Sequence, residues 1–219
     1  MRDDAPAAPA NTAAPAASDT DDEAARHRRK MAARKAVQDA EVASKTVEKG
    51  LLLVNTGAGK GKSTAALGLL LRMVGHGRPC GVVQFIKGAW STGERTVLEG
   101  FGPLVEWHSM GEGFTWETQD RARDVAAATA AWERALAMMA RPDLALLVLD
   151  ELCIALRYSY LDTGAVVAAL QGRRPDLHVV VTGRNAPQAL LDAADLVTEM
   201  QPVKHHFAAG VRAQQGIEF

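Results

Sequence analysis

Apolar positions in this chain gather into short unbroken runs separated by longer, helix-forming stretches. The runs Leu51 to Asn55, Gly81 to Ile86, Leu144 to Leu149, His178 to Val181 and Leu196 to Glu199 have the length and continuity of strands buried on both faces. Between them, Gly61 to Val74, Gln119 to Ala140, Leu152 to Leu170 and Pro187 to Ala193 have the alanine- and leucine-rich composition of helices. The stretch from Phe85 to Gln119 reads as a long loop, and Gly172-Arg173-Arg174-Pro175 and Gln201-Pro202 are breakers that mark two boundaries. No internal repeat is present. Strands alternating with helices predict an α/β fold with a mostly parallel sheet covered by helices on both faces. In such open sheets ligands sit beyond the carboxyl ends of the strands. That edge gathers Thr56 to Thr64, the loop after Ile86, the pair Asp150-Glu151, and Thr182-Gly183-Arg184.

The pattern changes at the N-terminus. Residues 1–22 are mostly Ala, Pro, Asp, Thr and Ser, and so few large apolar groups cannot offset the entropy of ordering, which predicts disorder. From Glu23 to Glu48 the chain turns to charged helix formers with a thin apolar stripe, including Arg26, Arg28, Arg29, Lys30, Arg34 and Lys35. Two readings fit this segment: a solvated helix with charged faces, or a helix laid across a site. The remainder, residues 49–219, is expected to form one domain.

Composition narrows the class. The 219 residues are 47% hydrophobic and carry a net charge of −1. A near-neutral charge argues against general affinity for nucleic acid, which needs a basic face because counterion release dominates that binding. No apolar run approaches the roughly 20 residues of a membrane span, and Asp3 and Asp4 stand where a leader would be basic, so a cytoplasmic protein is expected. Cys80 and Cys153 lie far apart in apolar segments without CxxC spacing and read as reduced core thiols.

The sharpest chemical signal is Thr56-Gly57-Ala58-Gly59-Lys60-Gly61-Lys62-Ser63-Thr64, placed directly between a strand and a helix. Its glycines let backbone N–H groups turn inward as an anion nest, Lys62 reaches the outer phosphates, and the Ser63 hydroxyl suits a magnesium ion. The positive end of the following helix adds to the site. Strict Walker A spacing asks for glycine at Thr56, so the motif is met at Gly61, Lys62 and Ser63 and missed at its first position. The run Leu146-Leu147-Val148-Leu149 ends in Asp150-Glu151, the form of a Walker B strand whose carboxylates are hard ligands for magnesium. Motif chemistry alone therefore points to ATP hydrolysis or phosphoryl transfer, with Glu151 as general base.

Aromatic residues complicate that reading. Phe85, Trp90, Phe101, Trp107, Phe114 and Trp116 crowd one segment of a chain that is only 5% aromatic. Such a cluster at the ligand edge suggests a flat, apolar partner. Phe85 and Trp107 are expected to be core residues of short strands. Phe114 and Trp116 instead sit between Gly113 and the potential cap Thr118, on a turn entering a helix.

Taken together, these strings resemble the P-loop type of ATP:corrinoid adenosyltransferase, over about Arg28 to Phe219. The resemblance rests on the phosphate loop, Val82-Val83-Gln84-Phe85-Ile86-Lys87-Gly88, Gly113-Phe114-Thr115-Trp116-Glu117-Thr118, Val148-Leu149-Asp150-Glu151-Leu152, Thr182-Gly183-Arg184, and the closing Pro202-Val203-Lys204-His205 with Gln215-Gly216-Ile217. Ala58 replaces a common asparagine and Ser63 a common threonine. The resemblance implies attack of Co(I) of a corrinoid on the 5′ carbon of ATP, releasing triphosphate. Residues Gly57 to Thr64 would then hold ATP, with Lys62 stabilising the departing charge and Ser63 and Glu151 ligating Mg2+. The nucleotide would lie in reverse along the loop, so that Glu151 is a magnesium ligand and not a base. Phe114 and Trp116 would wedge against the lower face of the corrin, leaving cobalt four-coordinate and easier to reduce.

The resemblance further implies a homodimer, an electron donor such as a reduced flavoprotein, and an N-terminal helix that folds over an active site. Arg184 divides between phosphate contact and a surface ion pair. His205 and His206 look like a metal pair, but adjacent side chains are expected to point to different sides, and no metal is assigned there. Two other functions stay open on the residues: an ATPase or kinase, and a nucleotide-binding module without turnover.

Overall fold

A computed structural model of the chain describes residues 17–86, 92–111 and 120–218. The chain divides into two compact units, with the second beginning at Glu48.

The first unit contains one long helix, α1 (Ala17–Ala43). It starts several residues earlier than composition predicts: residues 17–22 are helical, while residues 1–16 lie outside the described residues. An ion pair between Lys35 and Asp39 at 2.5 Å, one turn apart, ties the exposed surface of the helix, and Val37 and Val42 are also exposed.

The second unit is a parallel sheet between layers of helices. Its elements run β1 (Leu52–Thr56), α2 (Lys62–Gly75), β2 (Cys80–Gln84), α3 (Gly93–Glu99), β3 (Val105–Ser109), α4 (Arg121–Met139), β4 (Leu146–Asp150), α5 (Leu152–Arg157), α6 (Thr163–Gln171), β5 (His178–Thr182), α7 (Gln188–Ala193) and β6 (Leu196–Glu199). The strand order is β3-β2-β4-β5-β1-β6, every neighbouring pair parallel. This is the expected α/β fold of the P-loop type, with one strand, β5, separating the phosphate-loop strand β1 from the acid-tipped β4.

Alternation along each strand divides the apolar side chains between the two layers. Val82, Val148 and Val180 pack with Ala66, Leu70 and Val74 of α2 on one face. Val83, Leu147, Leu149, Val179 and Val181 pack with Ala128, Ala131, Ala135 and Met138 of α4 on the other. Small alanines let α4 approach the sheet closely, and all of them are nearly or fully buried.

Three predicted boundaries shift. The expected loop between Phe85 and Gln119 holds α3 and the edge strand β3, which pairs with β2 from Cys80↔Val105 to Gln84↔Ser109 and buries Val105 and Trp107 against the α2 layer. Phe85 and Trp107 are core residues, as expected. The single helical region after Leu152 breaks into α5 and α6, because Ser159 takes a left-handed conformation (φ 53°) and Asp162 starts a new helix by accepting from the Ala165 N–H at 2.7 Å. Helix α4 is capped by Asp120, which accepts from the N–H groups of Ala122 and Arg123, while Thr118 lies outside the described residues.

At the end of the sheet opposite the phosphate loop, Arg173 donates to the carbonyls of Gly50 (2.7 Å), Leu170 (2.7 Å) and Leu177 (3.0 Å). Beside it, Asp195 accepts from the Leu52 N–H at 2.9 Å and pairs with Lys49, binding the starts of β1, β5 and β6 together. Cys80 and Cys153 are buried free thiols, both pushed up to about 12 chiefly by burial. Among the described residues no helix is long and apolar enough to cross a membrane.

Candidate functional site

The turn from β1 into α2 forms the centre of the site. Gly57 has φ +95°, and a Cβ on it would stand 2.4 Å from the Met200 carbonyl oxygen, so only glycine lets the loop run this close to the chain beyond β6. The Gly59 N–H donates to that same carbonyl at 2.6 Å. Thr56, where the strict motif wants glycine, is buried, and its hydroxyl accepts from the Ala186 N–H at 3.2 Å. The threonine thus fastens the base of the loop to the segment after β5.

Lys62, the first residue of α2, is 7% exposed and folds back into the loop, its ammonium donating to the carbonyls of Gly59 (2.5 Å) and Gly57 (2.9 Å). Those carbonyls hold the cation where phosphate oxygens would meet it. Burial lowers its pKa, the negative Glu151 works against that shift, and the positive Arg184 adds to it.

Ser63 reaches across to the tip of β4, donating to Asp150 Oδ1 at 2.7 Å. The same oxygen accepts from the Thr182 hydroxyl at 2.8 Å, and Oδ2 accepts from Gln84 Nε2 at 3.0 Å. Gln84 is held in turn by Trp107 Nε1 (3.1 Å) and Ser109 Oγ (2.8 Å), both donating to its Oε1. Asp150 is 3% exposed, so three hydrogen bonds stand in for its lost hydration. Sequence reasoning offered both acids of the Asp150-Glu151 pair as magnesium ligands and settled on Glu151 with Ser63; the bond from Ser63 to Asp150, and the support of Asp150 by Gln84 and Thr182, were not foreseen. The signal lay in the register, which sets Gln84 opposite Asp150 across β2 and β4.

Glu151 stands at the sharp turn from β4 into α5 with φ 63°, and its N–H donates to Thr182 Oγ1 at 2.9 Å. This left-handed conformation in a non-glycine residue turns the chain abruptly into α5. Glu151 lines a cavity of about 490 Å3 together with Gly59, Lys60, Gly61, Lys62, Ser63 and Thr64. Arg184 and Glu94 share the wall, and Arg157, Tyr158, Ile217 and Glu218 complete part of the rim. Of the residues assigned to the nucleotide, only Gly57 and Ala58 stand back from the lining, with Gly57 acting through its carbonyl. A space of this size with cationic and acidic walls suits a nucleotide and its counter-ion.

Phe114 and Trp116 lie outside the described residues. The segment that carries them starts beside the cavity, because a Cβ on Gly111 would stand 2.4 Å from the carbonyl carbon of the cavity-lining Ile86. His205 and His206 do not point apart as adjacent side chains were expected to: their rings stack, with centroids 4.9 Å apart, because this stretch is irregular chain entering a short 3-10 turn (His206–Ala209) and not a strand.

Comparison with known proteins agrees with this geometry. Residues 48–219 match the family described as ATP:corrinoid adenosyltransferase BtuR/CobO/CobP, and residues 16–42 match the cob(I)alamin adenosyltransferase N-terminal family. A corrinoid adenosyltransferase from Sinorhizobium sp. is 55% identical over 197 residues, covering 89% of this chain and 92% of its own. One from Pseudomonas aeruginosa is also 55% identical, over 89% of this chain and 96% of its own. The corrinoid adenosyltransferase CobA of Salmonella typhimurium is 50% identical over 83% of this chain and 91% of its own. With phosphate loop, acid-tipped strand and both sequence segments in agreement, the chain belongs to the ATP:corrinoid adenosyltransferase family.

Proposed function

We propose that this enzyme holds the triphosphate of ATP as a leaving group while Co(I) of a bound corrinoid attacks the 5′ carbon. The cobalt electron pair forms the Co–C bond, the C5′–O bond breaks with its electrons going to oxygen, and inorganic triphosphate departs. The observation that carries this reading is a loop-held Lys62 beside Ser63 in the lining of one cavity, with Ser63 fixed from behind by Asp150. Charge builds on the departing oxygen, which is where a buried ammonium and the N–H groups of the loop act most strongly.

No proton has to be removed from the nucleophile, so Glu151 needs no role as a base. It and Ser63 would hold Mg2+, with Asp150 orienting the Ser63 hydroxyl; hydroxyl and carboxylate oxygens in one cavity suit this hard cation. Bound there, the ion supplies charge neutralisation to the phosphates.

Phe114 and Trp116 are proposed as the apolar wedge beneath the corrin, offering no donor atom to cobalt and so favouring the four-coordinate Co(II) that is easier to reduce. Supporting this is the start of their segment beside Ile86. A reduced flavoprotein is the proposed electron donor and a homodimer the proposed assembly, both on resemblance to the family. The helix α1 is the proposed lid, consistent with the match of residues 16–42 to an adenosyltransferase N-terminal model. Buried, unpaired thiols accord with a cytoplasmic setting.

Product analysis tests the assignment. Incubation with ATP and chemically reduced cobalamin should yield a light-sensitive organocobalt product and intact triphosphate in equal amounts. Release of orthophosphate without corrinoid would overturn it. In the same assay, Phe114→Ala with Trp116→Ala should slow reaction from Co(II) at least about tenfold more than from pre-reduced Co(I), as loss of a role confined to the reduction step requires. Equal losses would remove the wedge.

A further inference from the structure

A second cluster of charged groups lies against the outer side of the phosphate loop. The ammonium of Lys60 pairs with Glu218 Oε2, and the other carboxylate oxygen, Oε1, lies 3.0 Å from Nε2 of His206. The carboxylate is only 15% exposed although it stands near the end of the chain. Its docking is supported by the 3-10 turn His206–Ala209 and by the N–H groups of Ile217 and Glu218, both donating to the Gln214 carbonyl. Lys60 and His206 also line a cleft of about 400 Å3 together with Lys204, His205 and the Gln201-Pro202-Val203 strap. Four basic side chains therefore converge beside a loop built to bind anions, and the anion found among them is the protein's own. The Lys60 hydrogen bond holds the Glu218 carboxyl below the usual carboxylate range, so it is ionised at neutral pH. Glu218 and Ile217 line the nucleotide cavity as well, so the bridge joins the two spaces.

We propose that Lys60 of the loop and His206 form a phosphoryl-binding site whose place Glu218 takes in this structure and from which an incoming polyphosphate displaces it. The inference rests on the reading of the cavity as a triphosphate site. Ligand and tail then compete for the same cation: binding of polyphosphate releases the C-terminal segment, and redocking of Glu218 helps to expel it. A carboxylate can play this part because it presents two oxygens to the same donors as a phosphoryl group but carries less charge, so it holds the site without blocking it.

Calorimetric titration of the full-length protein with inorganic tripolyphosphate and, separately, with ATP tests this. Glu218→Gln keeps the shape of the tail and removes its charge, so tripolyphosphate should bind about five- to tenfold more tightly, the effect expected when one charged competitor is lost. In that background His206→Ala should reverse about threefold or more of the gain, as loss of one hydrogen-bond donor requires. Tightening of ATP as well places the nucleotide's own phosphates at the site, and tightening of tripolyphosphate alone places the free anion there. Hydrogen exchange supplies an independent readout: tripolyphosphate should speed exchange of the amides of Ile217 and Glu218 in the wild-type protein. Unchanged or weaker tripolyphosphate binding in Glu218→Gln, or slower exchange in the tail, would overturn the inference alone. Failure of tripolyphosphate to bind either protein would overturn it together with the triphosphate reading of the cavity.

Discussion

Burial tunes the ammonium of Lys62, the proposed phosphate ligand. Two loop carbonyls and a wall containing Arg184 surround its ammonium, and burial lowers its pKa. If the protonated amine binds phosphate as proposed, affinity is full below the lowered pKa and is lost as pH rises through it, earlier than for an ordinary lysine. The dissociation constant for ATP should therefore climb about tenfold per pH unit on the alkaline side, the behaviour of one required proton. Lys62→Arg should flatten that limb, because guanidinium stays charged, while weakening binding at neutral pH because its planar fork does not fit the carbonyl pair. An alkaline limb of equal steepness in both proteins would assign the titration elsewhere.

Elements, more than single residues, decide where strength and chemistry lie in this sheet. One end carries the turns after β1, β4 and β5 that build the site, and the other carries the Arg173 clamp on Gly50, Leu170 and Leu177. Arg173→Ala leaves three carbonyls without that donor and should cost about 2–3 kcal/mol, a fall in Tm of roughly 4–12 °C for a chain of this size. The KM for ATP should be unchanged, since the clamp is at the far end of the strands. Thermal unfolding and steady-state kinetics measured on one preparation check both halves.

The buried strands were legible in the sequence because a parallel strand covered on both faces must be apolar throughout, as Leu146 to Leu149 are. Strand β3 was only partly legible: Trp107 was expected in a short strand, but Glu106 and His108 alternate with Val105 and Trp107, so the edge strand has no continuous run to mark its bounds. The phosphate loop was legible from its glycines and Gly61-Lys62-Ser63 set between an apolar strand and a helix. Asp150 was missed as the partner of Ser63 because the contact crosses an intervening strand, and only the sheet order puts β4 within reach.

At the scale of the whole molecule, a charged helix of 27 residues and a parallel-sheet unit are two compact units, each matching an adenosyltransferase model. If α1 shields the reduced metal, breaking the helix should harm product yield and spare nucleotide binding. Ala33→Pro places a proline mid-helix, at a cost of about 3 kcal/mol to helix formation. ATP affinity should stay within about twofold of wild type, as an undamaged second unit requires, while less of the Co(I) consumed should appear as adenosylated product. Unchanged product per Co(I) would show that α1 serves another purpose.

Buried, protonated Cys80 and Cys153 bear on how such a protein tolerates its own working conditions. A chemistry that depends on low-potential donors would unfasten any scaffold stapled by sulfur–sulfur links. Here cohesion comes from packing and hydrogen bonds, which such donors leave untouched, and neither sulfur offers a thiolate to compete for the metal.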